Sequence, residues 1–261
     1  MHCRTLLVAA LLVLPATAFA DVRYEMEIKD VKRGDTINNE ILAKDGMVRV
    51  GARDSSSGTV TDLIYRPRED EILIIDNTRK EARRLTQAEM EKMQGMMAGM
   101  NQKMQEAMKK MPPQARAKAE EMMKKMGKGN TPAEAPEKTI RPLGSSDRVA
   151  GVKCDMYEVL EEGRKVQEFC AADQDDLEGG AELTEAMGGF AEFMQGFTKA
   201  LGARAPKIEF EPVDGKFPVL SRQYDDGDLV TEARLVSARE TDLDADQFDV
   251  PTGYTEQPMM K

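Results

Sequence analysis

Alternation of apolar and polar residues predicts a run of β-strands over residues 21–85. Tyr24, Met26 and Ile28 alternate with charged residues, which is the period-two pattern of a strand with one buried face. Turn-forming segments rich in Gly, Asp and Ser separate further short strands, which we predict at Ile37–Ala43, Met47–Arg53, Thr59–Tyr65 and Glu71–Ile75. No stretch between them is long enough for the crossover of a parallel sheet, so the pattern predicts an antiparallel meander.

The pattern changes to helical spacing at Thr86. Thr86 and Glu89 stand at the spacing of a capping box, which predicts a helix over Gln87–Lys110. Two consecutive prolines end it. A second helix is predicted over Gln114–Met126, followed by an exposed linker at 128–138.

Strand patterns resume beyond the linker and surround one more helix, at Ala181–Leu201. The predicted strands are Thr139–Leu143, Arg148–Ala171 (a hairpin), Lys207–Val213, Phe217–Tyr224 and Leu229–Arg239, with a closing strand edge at Phe248–Tyr254 and a frayed tail at Met259–Lys261. The predicted order is a run of strands, two helices, a hairpin, a further helix and a final run of strands. This order indicates the α+β class with one antiparallel sheet.

The first 20 residues have the pattern of a secretory leader. Arg4 precedes the apolar run Leu6–Leu14, and Ala18-Phe19-Ala20 forms a small-residue cleavage site before Asp21. The apolar run is too short to span a bilayer. We therefore expect residues 1–20 to be removed and residues 21–261 to be a soluble periplasmic protein with a single domain.

Composition then excludes several classes of chemistry. The 261 residues include 37 Lys and Arg, 47 Asp and Glu and a single His, for a net charge of −10. That histidine is His2, so the exported chain has none, which excludes Ser-His-Asp and Cys-His catalysis and His-ligated metals. No Ser-Lys or carboxylate set stands at catalytic spacing, and we expect no enzyme activity, no cofactor and no metal site of carboxylates. The acidic balance argues against nucleic acid as a partner.

Two cysteines remain after leader removal, Cys154 and Cys170. They flank a predicted hairpin with a three-residue loop at Glu161–Gly163, and folding about Glu162 places Cys154 opposite Cys170. Opposed strand positions lie within disulfide range, and an even pair in an exported chain favours a disulfide. A reduced structural pair and a redox-active pair are the alternatives.

Three segments resemble a known family: Tyr24-Glu25-Met26, the Gly151–Tyr157 strand with its partner Cys170, and the Phe248–Tyr254 ending. They are similar to those of an uncharacterised periplasmic family with a domain of unknown function, related to the LolA/LolB-like (lipoprotein carrier-like) superfamily. The resemblance covers roughly 21–256. It implies an open antiparallel barrel-like sheet covered by helices, with 86–138 as an inserted segment, and a concave space in which several members bind lipid-like groups. It implies no catalytic or ligand residues.

Methionine is concentrated in the inserted segment, which contains 11 of the 19 Met residues. Seven of them recur every three or four residues and so lie on one helix face, the Met stripe: Met90, Met93, Met97, Met100, Met104, Met108 and Met111. The stripe has four interpretations: ordinary packing on the sheet, an adaptable apolar surface for a lipid-like ligand or envelope protein, copper(I) capture by thioethers, and scavenging of oxidants.

Charge divides the chain as well. Arg79–Lys128 contains 13 basic and 6 acidic residues, a net of +7, so the rest of the exported chain is strongly acidic. This segment is either a solvated face docked on an acidic body or a weak contact with an anionic membrane surface. The sequence thus predicts a non-catalytic periplasmic protein that binds a hydrophobic ligand or an envelope partner. A copper(I)-handling protein and a structural protein at the membrane surface are the alternatives.

Overall fold

The computed structural model describes residues 21–53, 58–109, 112, 138–201, 213 and 215–259. Within these ranges the side chains of 52, 53, 93, 94, 97, 98, 100, 101, 104, 105 and 197–201 are not described. The predicted leader, the helix over Gln114–Met126, nearly all of the 128–138 linker and most of the strand at Lys207–Val213 lie outside the described residues.

One open sheet of twelve strands dominates the fold. The strands are β1 Val22–Asp30, β2 Thr36–Lys44, β3 Met47–Arg53, β4 Val60–Arg66, β5 Glu71–Asp76, β6 Glu81–Thr86, β7 Lys138–Val149, β8 Val152–Glu161, β9 Arg164–Asp173, β10 Lys216–Asp225, β11 Asp228–Glu240 and β12 Thr255–Gln257. Their order is β12-β6-β5-β4-β3-β2-β1-β11-β10-β9-β8-β7. Cα atoms of β7 and β11 approach within 8 Å although three strands lie between them, so this half of the sheet curls.

The predicted antiparallel meander is confirmed, with strand bounds close to those expected from the alternation. Each strand pairs with its predecessor from β1 to β6, and β11 returns beside β1. Strand β6 has no clear signal in the sequence, because its alternation is interrupted by two adjacent arginines, Arg83 and Arg84.

Two helices are described, α1 Gln87–Lys109 and α2 Gly180–Leu201. The predicted N-cap is confirmed at the start of α1, where the Glu89 amide donates to Thr86 Oγ1 at 3.2 Å. Helix α2 packs its apolar side on the sheet, and Leu183, Ala186, Phe190 and Phe193 are buried in the core.

The disulfide joins Cys154 to Cys170, with 5.4 Å between their Cα atoms. The register predicted for the hairpin is wrong, because its loop has two residues, Glu162 and Gly163, both with positive φ. A bulge between Val159 and Leu160 shifts the pairing once more, so that Met156 stands opposite Cys170. Cys154 is therefore a diagonal neighbour of Cys170 on the same face, which is close enough for the bond.

The C-terminal prediction is wrong in part. Residues Ala245–Phe248 form a short 3-10 helix, and the closing strand β12 begins only at Thr255, where it pairs in parallel with β6. Pro251 and a Gly253 with φ of 86° turn the chain before it can extend as a strand. Met259 does not fray but is half-buried against the core.

Side chains are buried on both faces of the sheet. We call the face under α2 the inner face; its cluster includes Val22, Tyr24, Leu235 and the disulfide. The outer face of β2–β6 carries a second cluster, Leu42, Ile64, Leu73, Ile75 and Ala82, which Leu243 and Phe248 cover. A third, smaller cluster surrounds Phe169. Successive residues of one strand thus serve different cores, which explains the apolar runs in β5.

Candidate functional site

An open groove of about 480 Å³ lies where α1, α2 and strand β4 meet. We call it the α1–α2 groove. Its lining residues come from segments far apart in sequence: Tyr65, Asp70, Gln87, Met90, Glu91, Gly189, Glu192, Phe193 and Gly196.

Three side chains give the groove an apolar floor. Tyr65 and Phe193 contact each other with 5.7 Å between ring centroids, and Phe190 supports Tyr65 from behind at 6.1 Å. Met90 belongs to the same buried cluster and is 8% exposed. The floor is therefore part of the buried core, and only the edges of these side chains face the groove.

Two glycines of α2 line the groove, and they differ in what surrounds them. A Cβ atom at Gly189 would lie 3.2 Å from the Tyr65 ring, so this glycine allows the ring to pack against the helix backbone. A Cβ atom at Gly196 would meet nothing within 4 Å. Gly196 therefore has no packing role among the described residues, and the space above it is open.

The rim of the groove is acidic. Asp70, Glu91 and Glu192 line it, and none of the three pairs with a basic side chain in the described part of the chain. Burial raises the pKa of Tyr65, and the negative charges of Asp70 and Glu192 raise it further. The groove thus combines an apolar floor with a negative potential.

The structure places only part of the Met stripe. Met90 lines the groove and Met108 is half-buried. Met96, which is not on the stripe, is 50% exposed. The side chains of Met93, Met97, Met100 and Met104, and the whole of Met111, lie outside the described residues. The use of the stripe beyond Met90 stays a prediction.

The structure describes only the first part of the basic segment Arg79–Lys128. Its first arginines lie in β6 and the preceding turn, where Arg79 pairs with Asp76 and Arg84 with Glu71 and Glu256. Helix α1 is balanced, since its three lysines match three glutamates. Within the described residues, the three arginines of this segment therefore pair with carboxylates, and α1 adds no net charge. The remaining excess belongs to residues 110–128, outside the described part apart from residue 112.

A second cleft, of about 670 Å³, lies between the turns of the β8–β9 and β10–β11 hairpins. Charged groups of both signs line it, including Arg164, Asp225 and Asp226, and Lys165 Nζ stands 4.0 Å from the centre of the Tyr224 ring. Its lining lacks an apolar cluster like that of the α1–α2 groove, and several of its charged groups pair with neighbours, as Asp225 does with Lys32 and Lys165 with Glu168.

Metal ligation and membrane crossing find no support among the described residues. No group of three His, Cys, Asp or Glu side chains there has the geometry to hold a metal ion. No described helix is long and apolar enough to cross a membrane. The metal-site result covers only His, Cys, Asp and Glu, so it does not test ligation by the thioethers of the methionines.

The groove was not predicted from the sequence, apart from Met90. Its floor depends on Phe193, which lies outside the apolar stripe that steps of three and four residues predict for α2: Leu183, Met187, Phe190, Met194, Phe197 and Leu201. The signal that could have found it is the three-residue spacing of Phe190, Phe193 and Gly196, which places them near one another on the helix surface.

Comparison with known proteins gives one family and remote structural likenesses. The model of the family described as "Domain of unknown function (DUF4412)" matches residues 69–254. No curated protein matches the sequence. The crystal structure of an uncharacterized conserved protein from Thermus thermophilus has a TM-score of 0.46 at 8% identity, with 92% of this chain and 91% of that chain covered.

Two further solved structures contain MucB. MucB in complex with MucA(peri) has a TM-score of 0.33 at 10% identity, with 91% of this chain and 57% of that chain covered. The Pseudomonas aeruginosa MucA/MucB complex has a TM-score of 0.32 at 10% identity, with 89% and 56% covered. The chain thus spans little more than half of MucB. Likenesses this remote carry no argument about function.

Proposed function

The chain belongs to the DUF4412 family, a domain of unknown function whose match includes every lining residue of the groove except Tyr65. We propose that it is a non-catalytic, exported binding protein. Its site is the α1–α2 groove, and its ligand is a lipid-like molecule or an apolar surface of an envelope partner. Family membership agrees with the predicted resemblance at that level; the LolA/LolB-like relationship and the barrel-like cover of helices stay predictions.

One observation supports the proposal: the described residues leave an open groove beside α2 whose floor is the edge of the apolar core and whose rim has three carboxylates. Ligand sites are typically concave and mostly apolar, with a few polar groups at the edge that orient the ligand. Tyr65, Met90 and Phe193 supply such a floor, and the three carboxylates supply such an edge.

The inner face of the sheet offers no comparable space under α2 in the described part of the chain. Leu183 and Phe190 of α2 fill it together with Tyr24 and Phe217 of the sheet, whose rings meet edge to face at 5.5 Å. A ligand therefore binds beside α2, over Met90, rather than between α2 and the sheet. Methionine suits this position because its flexible thioether side chain adapts to ligands of different shape.

The test uses the neutral apolar fluorophore N-phenyl-1-naphthylamine and the full exported chain. We expect saturable binding with a blue shift, and a loss of affinity of at least about tenfold when Gly196→Leu fills the groove, since about 1.4 kcal/mol separates each factor of ten. Gly196 tolerates the change because nothing stands within 4 Å of the new Cβ.

Gly188→Leu is the matched control. Gly188 is also exposed on α2 with nothing within 4 Å of a new Cβ, but it does not line the groove. We expect the affinity of this variant for the fluorophore to stay within about twofold of that of the unmodified protein, a difference of less than about 1 kcal/mol in binding free energy. Absence of saturable binding, or equal losses in the two variants, would contradict the proposal.

A further inference from the structure

We propose that Met90 is a site of sulfoxidation and that its oxidation by a neutral hydroperoxide releases α1 from α2. Helix α1 is then an oxidant-sensitive element, a property separate from the ligand binding proposed above. Exposed methionines of the same helix, such as Met96, react earlier and without this consequence.

The apolar side chains of α1 that are larger than Ala are all methionine. The helix has seven Met and no Leu, Ile, Val or aromatic residue. Helix α2 differs, because Leu183, Phe190 and Phe193 are among its buried contacts with the core. Mild oxidants convert the thioether of methionine to a polar sulfoxide. An oxidant therefore attacks the packing side chains of α1 and leaves these three anchors of α2 intact.

Met90 is the anchor of α1 among the described side chains. It is the only buried one of the helix in that set, at 8% exposed, and its cluster includes Tyr65, Leu85 and Phe193. Among described side chains, the polar contacts of α1 stay within the helix and its N-cap. The association of α1 with the core, as far as the described side chains show it, therefore depends chiefly on one thioether.

The α1–α2 groove gives an oxidant access to Met90. The side chain lines the groove, whose volume of about 480 Å³ admits hydrogen peroxide, a molecule little larger than water. The peroxide is neutral, so the carboxylates at the rim do not repel it as they repel an anionic oxidant. Met96 is 50% exposed and reacts first, so low doses leave Met90 reduced.

The chemical step transfers one oxygen atom. A lone pair of the Met90 sulfur attacks one oxygen of hydrogen peroxide, an S–O bond forms and the O–O bond breaks. The second oxygen leaves with its own hydrogen, takes the proton of the transferred oxygen and becomes water. The sulfur is oxidised by two electrons to the sulfoxide, and the peroxide is reduced.

The sulfoxide changes the character of the anchor. Its oxygen is a hydrogen-bond acceptor that water solvates, and burying it among apolar side chains costs free energy. Undocking of α1 gives that oxygen access to water and costs little else, since the other described side chains of the helix are exposed or half-buried. The hydrogen bond from the Glu89 amide to Thr86 keeps the first turn in place, so the release begins at Met90.

Hydrogen exchange of the full exported chain, measured by mass spectrometry without any ligand, tests the proposal. Peptide mapping follows sulfoxide formation at Met90 and Met96 as the dose of hydrogen peroxide is raised. We expect exchange of amides 91–109 to accelerate at least about tenfold as Met90 is oxidised, while exchange in α2 and the sheet changes less than about twofold. Oxidation of Met96 alone should leave exchange of α1 unchanged.

Three variants locate the effect. Met90→Leu keeps a similar apolar volume without a thioether, so α1 should stay protected at doses that release it in the unmodified protein. Met96→Leu is the matched control, because it removes an exposed thioether of the same helix and should leave the release unchanged. Met90→Gln places a polar group where the sulfoxide would form, and should release α1 in the absence of oxidant.

Several results would overturn the inference. Resistance of Met90 to peroxide is one, and full oxidation of Met90 without faster exchange of α1 is another. Release that persists in Met90→Leu, or loss of protection throughout α2 as well, would show that other methionines or general unfolding are responsible. Rapid exchange of α1 before any oxidation would show that no docked helix is present to be released. None of these measurements uses the fluorophore, so failure here leaves the binding proposal standing.

Discussion

The two faces of the sheet are covered in different ways. On the inner face α2 packs through apolar side chains such as Leu183 and Phe190. On the outer face the C-terminal cover, residues 243–257, buries Phe248 and Leu243 but also forms ion pairs and a short strand pairing with β6. Arg66 contacts Asp249 at 2.6 Å, and Arg84 contacts Glu256 at 2.8 Å.

The difference explains why the groove lies on the inner side. Ion pairs and strand pairing fix the C-terminal cover along its length, and Tyr254 adds a hydrogen bond to Asn77 at 2.9 Å. Helix α2 packs mainly through apolar side chains, with one hydrogen bond from the Gly46 amide to Glu182 near its start, and Gly196 leaves open space beside it. Non-directional packing thus tolerates open space beside α2 that a directed network would close.

The largest expected effect compares the aromatic anchor of each face. Phe248→Ala should lower the free energy of unfolding by about 3–5 kcal/mol, because the ring is 1% exposed in a closed cluster. Phe193→Ala should lower it by only about 2 kcal/mol, since one side of that ring borders the groove and the site can relax. Urea unfolding of both variants checks the order, and an equal or reversed loss would show that the groove floor is packed as tightly as the outer face.

The disulfide is the next largest contribution. Replacing Cys154 and Cys170 together by Ala should lower the free energy of unfolding by roughly 3 kcal/mol, as the chain-entropy model gives for a loop of about 16 residues. Mass spectrometry under non-reducing conditions checks the bond itself. The effect should add to that of Phe248→Ala, which belongs to a different cluster. Two free thiols in the exported protein would contradict the pairing.

The ion pairs of the outer face should have a smaller effect that depends on salt. Arg84→Met leaves the buried Glu71 with Arg66 alone, and we expect a loss of about 1–2 kcal/mol that shrinks at high salt. Arg83→Met, on the same strand, removes only a partly exposed contact to Glu81 and should change stability by less than about 0.5 kcal/mol. Equal effects of the two changes would show that the network does not hold the C-terminal cover.

The smallest expected effect is a difference in pH dependence between the faces. Arg84 lowers the pKa of Glu256 on the outer face, so the stability from this pair is present above the ordinary carboxyl pKa and is lost as the pH falls through the lowered value. Burial raises the pKa of Glu182 on the inner side, so its contribution is present at low pH and is lost as the pH rises through the raised value.

Two amide substitutions measure that difference. Glu182→Gln keeps an oxygen that can accept from the Gly46 amide, which lies 3.0 Å from the carboxylate, and should be neutral or slightly stabilising at neutral pH. Glu256→Gln should be slightly destabilising at neutral pH, and its effect should vanish in acid. Thermal unfolding of both variants at acidic and at neutral pH checks the sign of each change in stability. The same sign for both variants at neutral pH would contradict this difference between the faces.

Local patterns in the sequence were sufficient for the strands and helices but not for the site. Two patterns predicted elements whose stabilising contacts are close in sequence: the alternation around Tyr24, and the N-cap formed by Thr86 and Glu89. The predicted hairpin register is wrong because the loop is one residue shorter than expected and a bulge at Val159 moves the pairing again. Neither feature leaves a clear signal in the sequence. The groove could not be predicted, because Tyr65, Met90 and Phe193 meet only through tertiary packing.

Methyl-labelled methionine NMR of the full exported chain tests the central claim, that the α1–α2 groove is the binding site. Met90 lines the groove, whereas Met156 lies beside the disulfide in the same core cluster and serves as an internal control. With Met90→Leu used for assignment, addition of N-phenyl-1-naphthylamine should shift the Met90 methyl resonance in a saturable manner and leave that of Met156 in place. An unchanged Met90 resonance in the presence of bound fluorophore would contradict the account.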